Sequence, residues 1–346
     1  MTTATNSESG TAAAQARSAG APSAGAEAAG AASERGLGNA PGSGLGSGQG
    51  SSLGRGLGSG FSHPSRARAV RDQLARVVMW GAFLLALVPL AWILWTVLSN
   101  GYHLLLDSTW WTNSQRGITA RRVGGGAVHA IQGTLIQAAV TAVIAVPIAI
   151  MTAIYLVEYG RGKLARAISF MVDILTGIPS IVAGLFIYAL WVTTFHFQRV
   201  AFAVCLALVL LMIPVVVRST EEMLKLVPNE LREASYALGV PKWKTIVRIV
   251  LPTAFSGIVT GVLLGLARVM GETAPLLILG PYTKSIATDL FGGLMATLPT
   301  MINQDRTENL APAIDRMWAA ALTLILIVLV LNLAGRLVAR LGSVRK

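Results

Sequence analysis

The sequence predicts an all-α, polytopic membrane protein with six transmembrane helices. Three observations carry this. Only 13% of the 346 residues are charged and 53% are hydrophobic, against about 25% charged in soluble domains. The apolar residues fall in blocks of roughly 20, the length of helix that crosses a hydrocarbon layer. The basic residues cluster in alternate connections between those blocks, as the positive-inside rule requires.

Residues 1–62 are Gly, Ala and Ser with scattered charges. They hold too few large apolar side chains to offset the entropy of ordering, so they are expected to form a disordered cytoplasmic tail ahead of a transmembrane domain over 63–346. The first span, about Val77–Leu98, carries no charge and is too long for a signal-peptide core. The second covers about Ile131–Val157, the third about Ala167–Thr194 and the fourth about Val200–Val217. The fifth is expected to start at Pro252 and end near Gly280, and the sixth to run over about Met317–Val338. Pro89, Pro147, Pro179, Pro214 and Pro275 lie inside these spans, and each removes a backbone donor and bends its helix.

Seventeen Lys and Arg residues fall on one side of these spans and seven on the other, which places both termini and the connection between spans four and five in the cytoplasm. The net charge of +12 is explained by this asymmetry, and no nucleic-acid partner is expected. Cys205 is alone in an apolar run and reads as a packing residue. Four histidines without ligand spacing give no metal site, and no cofactor is expected on this chain. Trp110 and Trp111 read as anchors at the lipid–water interface.

The connection over 218–251 is the most informative stretch. Pro228 opens a short helix, Asn229–Leu238, which Gly239 ends by supplying a left-handed residue. Pro241 opens a second helix that ends before Pro252. Small residues at Ala234 and Ser235 permit close approach of another backbone, and Leu231, Leu238 and Trp243 are apolar groups beside water, as in a helix-in-groove contact. An amphipathic loop lying on the membrane surface has the same composition.

A second constellation lies in the fifth span. Arg268 is 16 residues beyond Pro252, or about 24 Å along a helix, near the bilayer centre. Glu272 is one turn further on the same face. A charge there costs at least about 2.5–3.5 kcal/mol and usually marks a pathway. Arginine suits a tetrahedral oxyanion because its planar fork gives two parallel charge-assisted hydrogen bonds. Glu272 balances Arg268 when no anion is bound, and can accept a hydrogen bond from a protonated phosphate. A structural ion pair within one helix fits the same spacing. Thr273 follows directly, and Asp173, in the third span, is a further candidate for the path.

The spacing Glu233-Ala234-Ser235, three residues, Gly239, nine residues, Ile249, one residue, Leu251-Pro252 resembles the cytoplasmic loop of bacterial ABC importer permeases, with Ser235 in place of a second alanine. The stretch Arg268–Leu277 with Gly271-Glu272-Thr273-Ala274-Pro275 at its centre is similar to phosphate-specific transport permeases of the PstA type. So are Gly124-Gly125-Gly126 leading to Gly133-Thr134-Leu135, and Thr176–Phe186. The resemblance implies the type I ABC importer permease fold. It implies a coupling helix in which Glu233, Ala234, Ser235, Gly239 and Trp243 meet an ATPase. It implies a second, homologous permease, two ATP-binding cassette subunits, an extracytoplasmic phosphate-binding protein, and a phosphate path along Arg268, Glu272, Thr273 and Asp173. The chain has no G-x-x-x-x-G-K-[ST] phosphate loop, so ATP would be hydrolysed by another subunit and the chain itself is no enzyme. Another oxyanion, the partner-type permease, and a secondary transporter remain as alternatives.

Overall fold

The computed structural model describes residues 66–280 and 282–344, with no β-strand among them. The tail expected over 1–62 lies outside the described residues. Twelve helices follow in order: α1 (Arg66–Leu105), α2 (Ser108–Thr112), α3 (Val128–Ile154), α4 (Lys163–Gly177), α5 (Ser180–Tyr188), α6 (Ala201–Lys225), α7 (Asn229–Ala237), α8 (Lys242–Thr245), α9 (Leu251–Gly271), α10 (Ala274–Leu279), α11 (Leu298–Glu308) and α12 (Ala311–Val344). Wider, π-helical turns extend α3 over Tyr155–Tyr159 and α5 over Ala189–Thr194, and join α8 to α9 over Ile246–Val250.

Five helical runs are long and apolar enough to cross a membrane: Val70–Leu105, Val128–Tyr159, Ala201–Lys225, Lys242–Gly271 and Ala311–Arg340. A bent pair, α4 and α5, turned by 105°, passes the same test only when its two halves are taken together. The single third span expected from sequence is therefore two half-helices. Proline explains the break. Ile178 precedes Pro179 and is pushed into extended backbone (ψ 126°), so α4 closes at Gly177 and α5 restarts at Ser180. Pro275 acts similarly on the fifth span. In a continuous helix its ring would strike the carbonyl of Gly271. Instead α9 stops at Gly271, Glu272 is extended (ψ 135°), and Pro275 sits in the first turn of α10. Pro89, Pro147 and Pro214 lie within continuous helices.

Pro252 does not open the fifth span, which runs unbroken from Lys242. The π turn just before it absorbs the missing donor: Leu251 N–H reaches back five residues to Ile246 O.

Helix α6 is the centre of the bundle, with α3, α4, α5 and α9 packed around it. In lipid, close packing of small residues takes over from the hydrophobic effect as the force between helices. The α9 stripe Gly257, Gly261, Gly265 lies against Met223, Ser219 and Val216 of α6, where an added Cβ would stand 2.2, 2.0 and 3.0 Å from the nearest atoms. On α3 the stripe Ala145, Ala149, Ala153 is fully buried in the same core, and Cys205 is buried on α6. Helix α1 has its sides open over most of its length. It touches α12 near its end, where Gly101 sits against the Trp318 carbonyl.

A second core lies at the opposite end of α3 from α7. Trp110 is fully buried there and donates from Nε1 to Thr323 Oγ1 at 3.0 Å. It is an internal bolt between α2 and α12, not an interface anchor. Trp111 is partly exposed and donates to the Leu105 carbonyl at 2.9 Å. Gly124 and Gly125 take positive φ, and Gly126 is pressed against the carbonyls of Thr109, Trp110 and Asn113. Thr134 accepts from Leu298 N–H at 2.9 Å, seating the start of α11.

Candidate functional site: a half-helix crossing and a two-helix loop

The two proline breaks bring half-helices together. Helix α5 packs on α10, and Gly184 lies so close to Pro275 that a Cβ there would stand 2.9 Å from Pro275 Cα. Two stretches that the sequence singled out separately, Thr176–Phe186 and Gly271–Pro275, are thus one structural unit. At its edge Arg268 Nε lies 3.5 Å from Glu272 Oε1. The Arg268 side chain is 47% exposed and that of Glu272 15%. This single long contact leaves most of the guanidinium fork open, unlike a closed structural pair. Thr273 is half-buried beside them.

Asp173 is placed elsewhere. It accepts from Arg218 Nη2, which also donates to Ser169 O (3.1 Å) and Oγ (3.0 Å). Arg218 Nη1 reaches Glu221 Oε2 at 2.5 Å, and Lys225 Nζ reaches Glu221 Oε1 at 2.7 Å. The network ties α4 to α6, and among the described residues no ion pair joins Asp173 to Arg268 or Glu272.

The loop between α6 and α9 is compact. Gly239 has φ +74°. Val240 N–H bonds Ser235 O at 3.2 Å and Gly239 N–H bonds Tyr236 O at 2.9 Å, the paired closure of a Schellman motif. Ser235 is 3% exposed and its hydroxyl meets Thr245 Oγ1 at 2.8 Å, so it fastens α7 to α8 and does not face outward. Glu233 and Ala234 are exposed, Leu238 is 83% exposed and Trp243 is 60% exposed, leaving an apolar crest. Arg232 anchors the loop from beneath, through Glu158 and the carbonyls of Leu224 (3.0 Å) and Val227 (2.6 Å).

Sequence reasoning missed Arg218 and Arg232 as organising residues, and a polar knot at the far end. There Tyr282 Oη donates to Gln115 Oε1 (2.6 Å) and Gln115 Nε2 donates to Asp305 Oδ2 (3.1 Å). Arg316 Nε lies 3.7 Å from the same oxygen, and both charged side chains are buried. Burial pushes the Asp305 carboxyl above the usual carboxylate range, against the pull of Gln115 and Arg316. His129 Nε2 lies 3.0 Å from Tyr282 Oη.

A bundle of five long apolar helical runs and one bent helix pair, with two proline breaks meeting inside it and a two-helix loop with an apolar crest at one end, has the architecture of a membrane transport permease. Residues 145–342 match the binding-protein-dependent transport system inner membrane component. The chain is 53% identical over 279 residues, 81% of its length and 91% of the other's, to the phosphate transport system permease protein PstA 1 of Mycobacterium tuberculosis (strain ATCC 25618 / H37Rv). It is 55% identical over 268 residues, 78% of its length and 88% of the other's, to the phosphate transport system permease protein PstA of Mycobacterium leprae (strain TN). A solved bacterial ABC transporter involved in the import of the acidic polysaccharide alginate shares the fold, with a TM-score of 0.55 at 14% identity, over 79% of this chain and 97% of that one. The chain belongs to the binding-protein-dependent transport inner membrane components, and within them to the PstA-type ABC permeases.

Proposed function

We propose that this chain is the permease subunit of an ATP-driven importer of inorganic phosphate. The observation that carries the reading is the open guanidinium of Arg268, held by Glu272 at the α9–α10 break. The names of its relatives as phosphate permeases support it. A second permease completes the path against the α9–α10 edge, and an extracytoplasmic binding protein delivers the anion. The loop over 218–251 is cytoplasmic, as are both termini. Of two ATPase subunits, one grips the crest of Glu233, Ala234, Leu238 and Trp243 and the other grips the corresponding loop of the second permease, while Ser235 and Gly239 set the angle between α7 and α8. ATP is used by those subunits and not by this chain.

Phosphate uptake by the assembled importer in proteoliposomes tests the reading. Arg268→Lys keeps the charge and loses the fork. Loss of one charge-assisted hydrogen bond, about 1.5–3 kcal/mol, corresponds to roughly 10- to 100-fold weaker uptake. Unchanged uptake would refute the role of Arg268. Glu272→Gln is expected to narrow the discrimination between hydrogen phosphate, which has a proton to donate, and sulfate, which has none at neutral pH.

A further inference from the structure

A recess of about 400 Å³ opens at the α7 end of the bundle, in the range of small-ligand sites. Its polar lining is Glu158, Arg161, Lys225, Asn229, Arg232, Tyr236 and Lys242. Four of these are cations and one is an acid. The Glu158 carboxylate is neutralised by Arg232, which approaches it at 3.0 Å. Lys225 is matched to Glu221, an acid that already serves Arg218. Two positive charges are left over. Lys242 Nζ donates to the Glu158 carbonyl oxygen and lies 4.8 Å above the Tyr159 ring, contacts that orient the ammonium without cancelling its charge. Arg161 is exposed, and among the described residues no carboxylate lies within 4.0 Å of it. An oriented lysine and an unpaired arginine on one concave wall match the oxygens of a phosphoryl group.

The location bears on the source of that group. The recess lies beside the ends of two apolar helical runs, Val128–Tyr159 and Ala201–Lys225, and the end of a run long enough to cross a bilayer is where headgroups would meet protein. Basic pockets of this kind between membrane helices take anionic headgroups. Of its lining, Arg232 and Tyr236 belong to α7 and Lys242 to α8, whereas Glu158 lies in the π turn that ends α3 and Arg161 just after it. A bound anion would therefore bridge the end of α3 to the two-helix loop.

We propose that this recess is a phosphoryl-anion site that couples the seating of the α7–α8 loop to anionic lipid or free phosphate. The proposal does not depend on what the permease carries.

The test uses the full chain in nanodiscs of phosphatidylcholine alone or of phosphatidylcholine with phosphatidylglycerol, with and without inorganic phosphate, reading the thermal unfolding midpoint. The midpoint is expected to rise with phosphatidylglycerol if a headgroup fills the site, or with inorganic phosphate in phosphatidylcholine alone if a free anion does. Arg161→Gln is expected to weaken the effective ligand affinity at least about tenfold, the loss of one charged hydrogen bond. Arg161 has no internal ion pair to lose, so this variant should fold even if Arg161→Gln with Lys242→Gln does not. Arg166→Gln removes the same charge outside the recess and should keep the full response. The proposal is overturned if neither probe moves the midpoint, if the response persists in Arg161→Gln, or if Arg166→Gln loses it equally.

Discussion

Arg232 donates from both Nε and Nη2 to one oxygen of Glu158, at 3.1 and 3.0 Å, although 74 residues separate them in sequence. The pair is largely buried, with side chains 12% and 5% exposed. It joins the π turn that ends α3 to the first turns of α7. Removing one member of a buried pair strands the other, at about 3–5 kcal/mol. Arg232→Ala and Glu158→Gln should each lower the unfolding midpoint and make the loop cleavable by protease. The double variant should lose much less than the sum, which a double-mutant cycle on the midpoint would show.

The contact between Gly184 and Pro275 predicts a steep size dependence. At 2.9 Å from a backbone carbon, a Cβ on Gly184 must push α5 away from α10. Overpacking of this kind costs about 1–3 kcal/mol. Gly184→Ala should lower thermal stability measurably, and Gly184→Val more so. Equal midpoints for glycine, alanine and valine would show that the half-helices are not packed as described.

Gly239 makes the opposite prediction, because nothing stands within 4 Å of its missing Cβ and its φ of +74° is the constraint. Asparagine tolerates the left-handed region and valine does not. Gly239→Asn should keep transport coupled to ATP hydrolysis in the reconstituted importer. Gly239→Val should raise the ATP hydrolysed per anion transported or release the ATPase.

Asp305 and Arg316 give a pH-dependent prediction. Burial raises the Asp305 pKa above its ordinary 3.8. Between those values the folded chain binds more protons than the unfolded one, so this contribution to stability is greatest below pH 3.8 and falls as pH rises through the folded pKa. Asp305→Asn should flatten that slope in the acid range. At neutral pH, where the fold holds the carboxylate against its burial penalty, the neutral amide should leave the midpoint unchanged or raise it. Unfolding midpoints of both chains from acid to neutral pH check the two effects together.

The sequence was most legible where backbone chemistry decides the outcome. Pro228, Gly239 and Pro241 mark α7, its Schellman closure and the start of α8 because proline and glycine act through their own dihedrals. Hydrophobic block length marks the spans for a similar reason, since it is a local quantity. The Pro179 break was visible as a proline but not as a 105° bend, because that angle is set by the packing of α5 on α10. Trp110 misled because a tryptophan near a span end has the same signature whether it faces lipid or Thr323. Arg218 with Glu221 and Lys225 could have been found from their three- and four-residue spacing. Arg232 with Glu158, and Arg316 with Asp305 and Gln115, have no local signal, since their partners arrive only when the helices assemble.

The π turn over Ile246–Val250 holds one residue more than a regular helical turn and lies within the Lys242–Gly271 span, between the apolar crest and Arg268. Everything on its α8 side is therefore rotated by about 100°, one residue's share of a 3.6-residue turn, relative to an unbroken helix. Shortening the chain by one residue there would restore regular pitch and swing Trp243 around the span's axis without removing any side chain from the crest. In gearing terms, the turn sets the phase between the surface offered at one end of this rod and the arginine presented further along it.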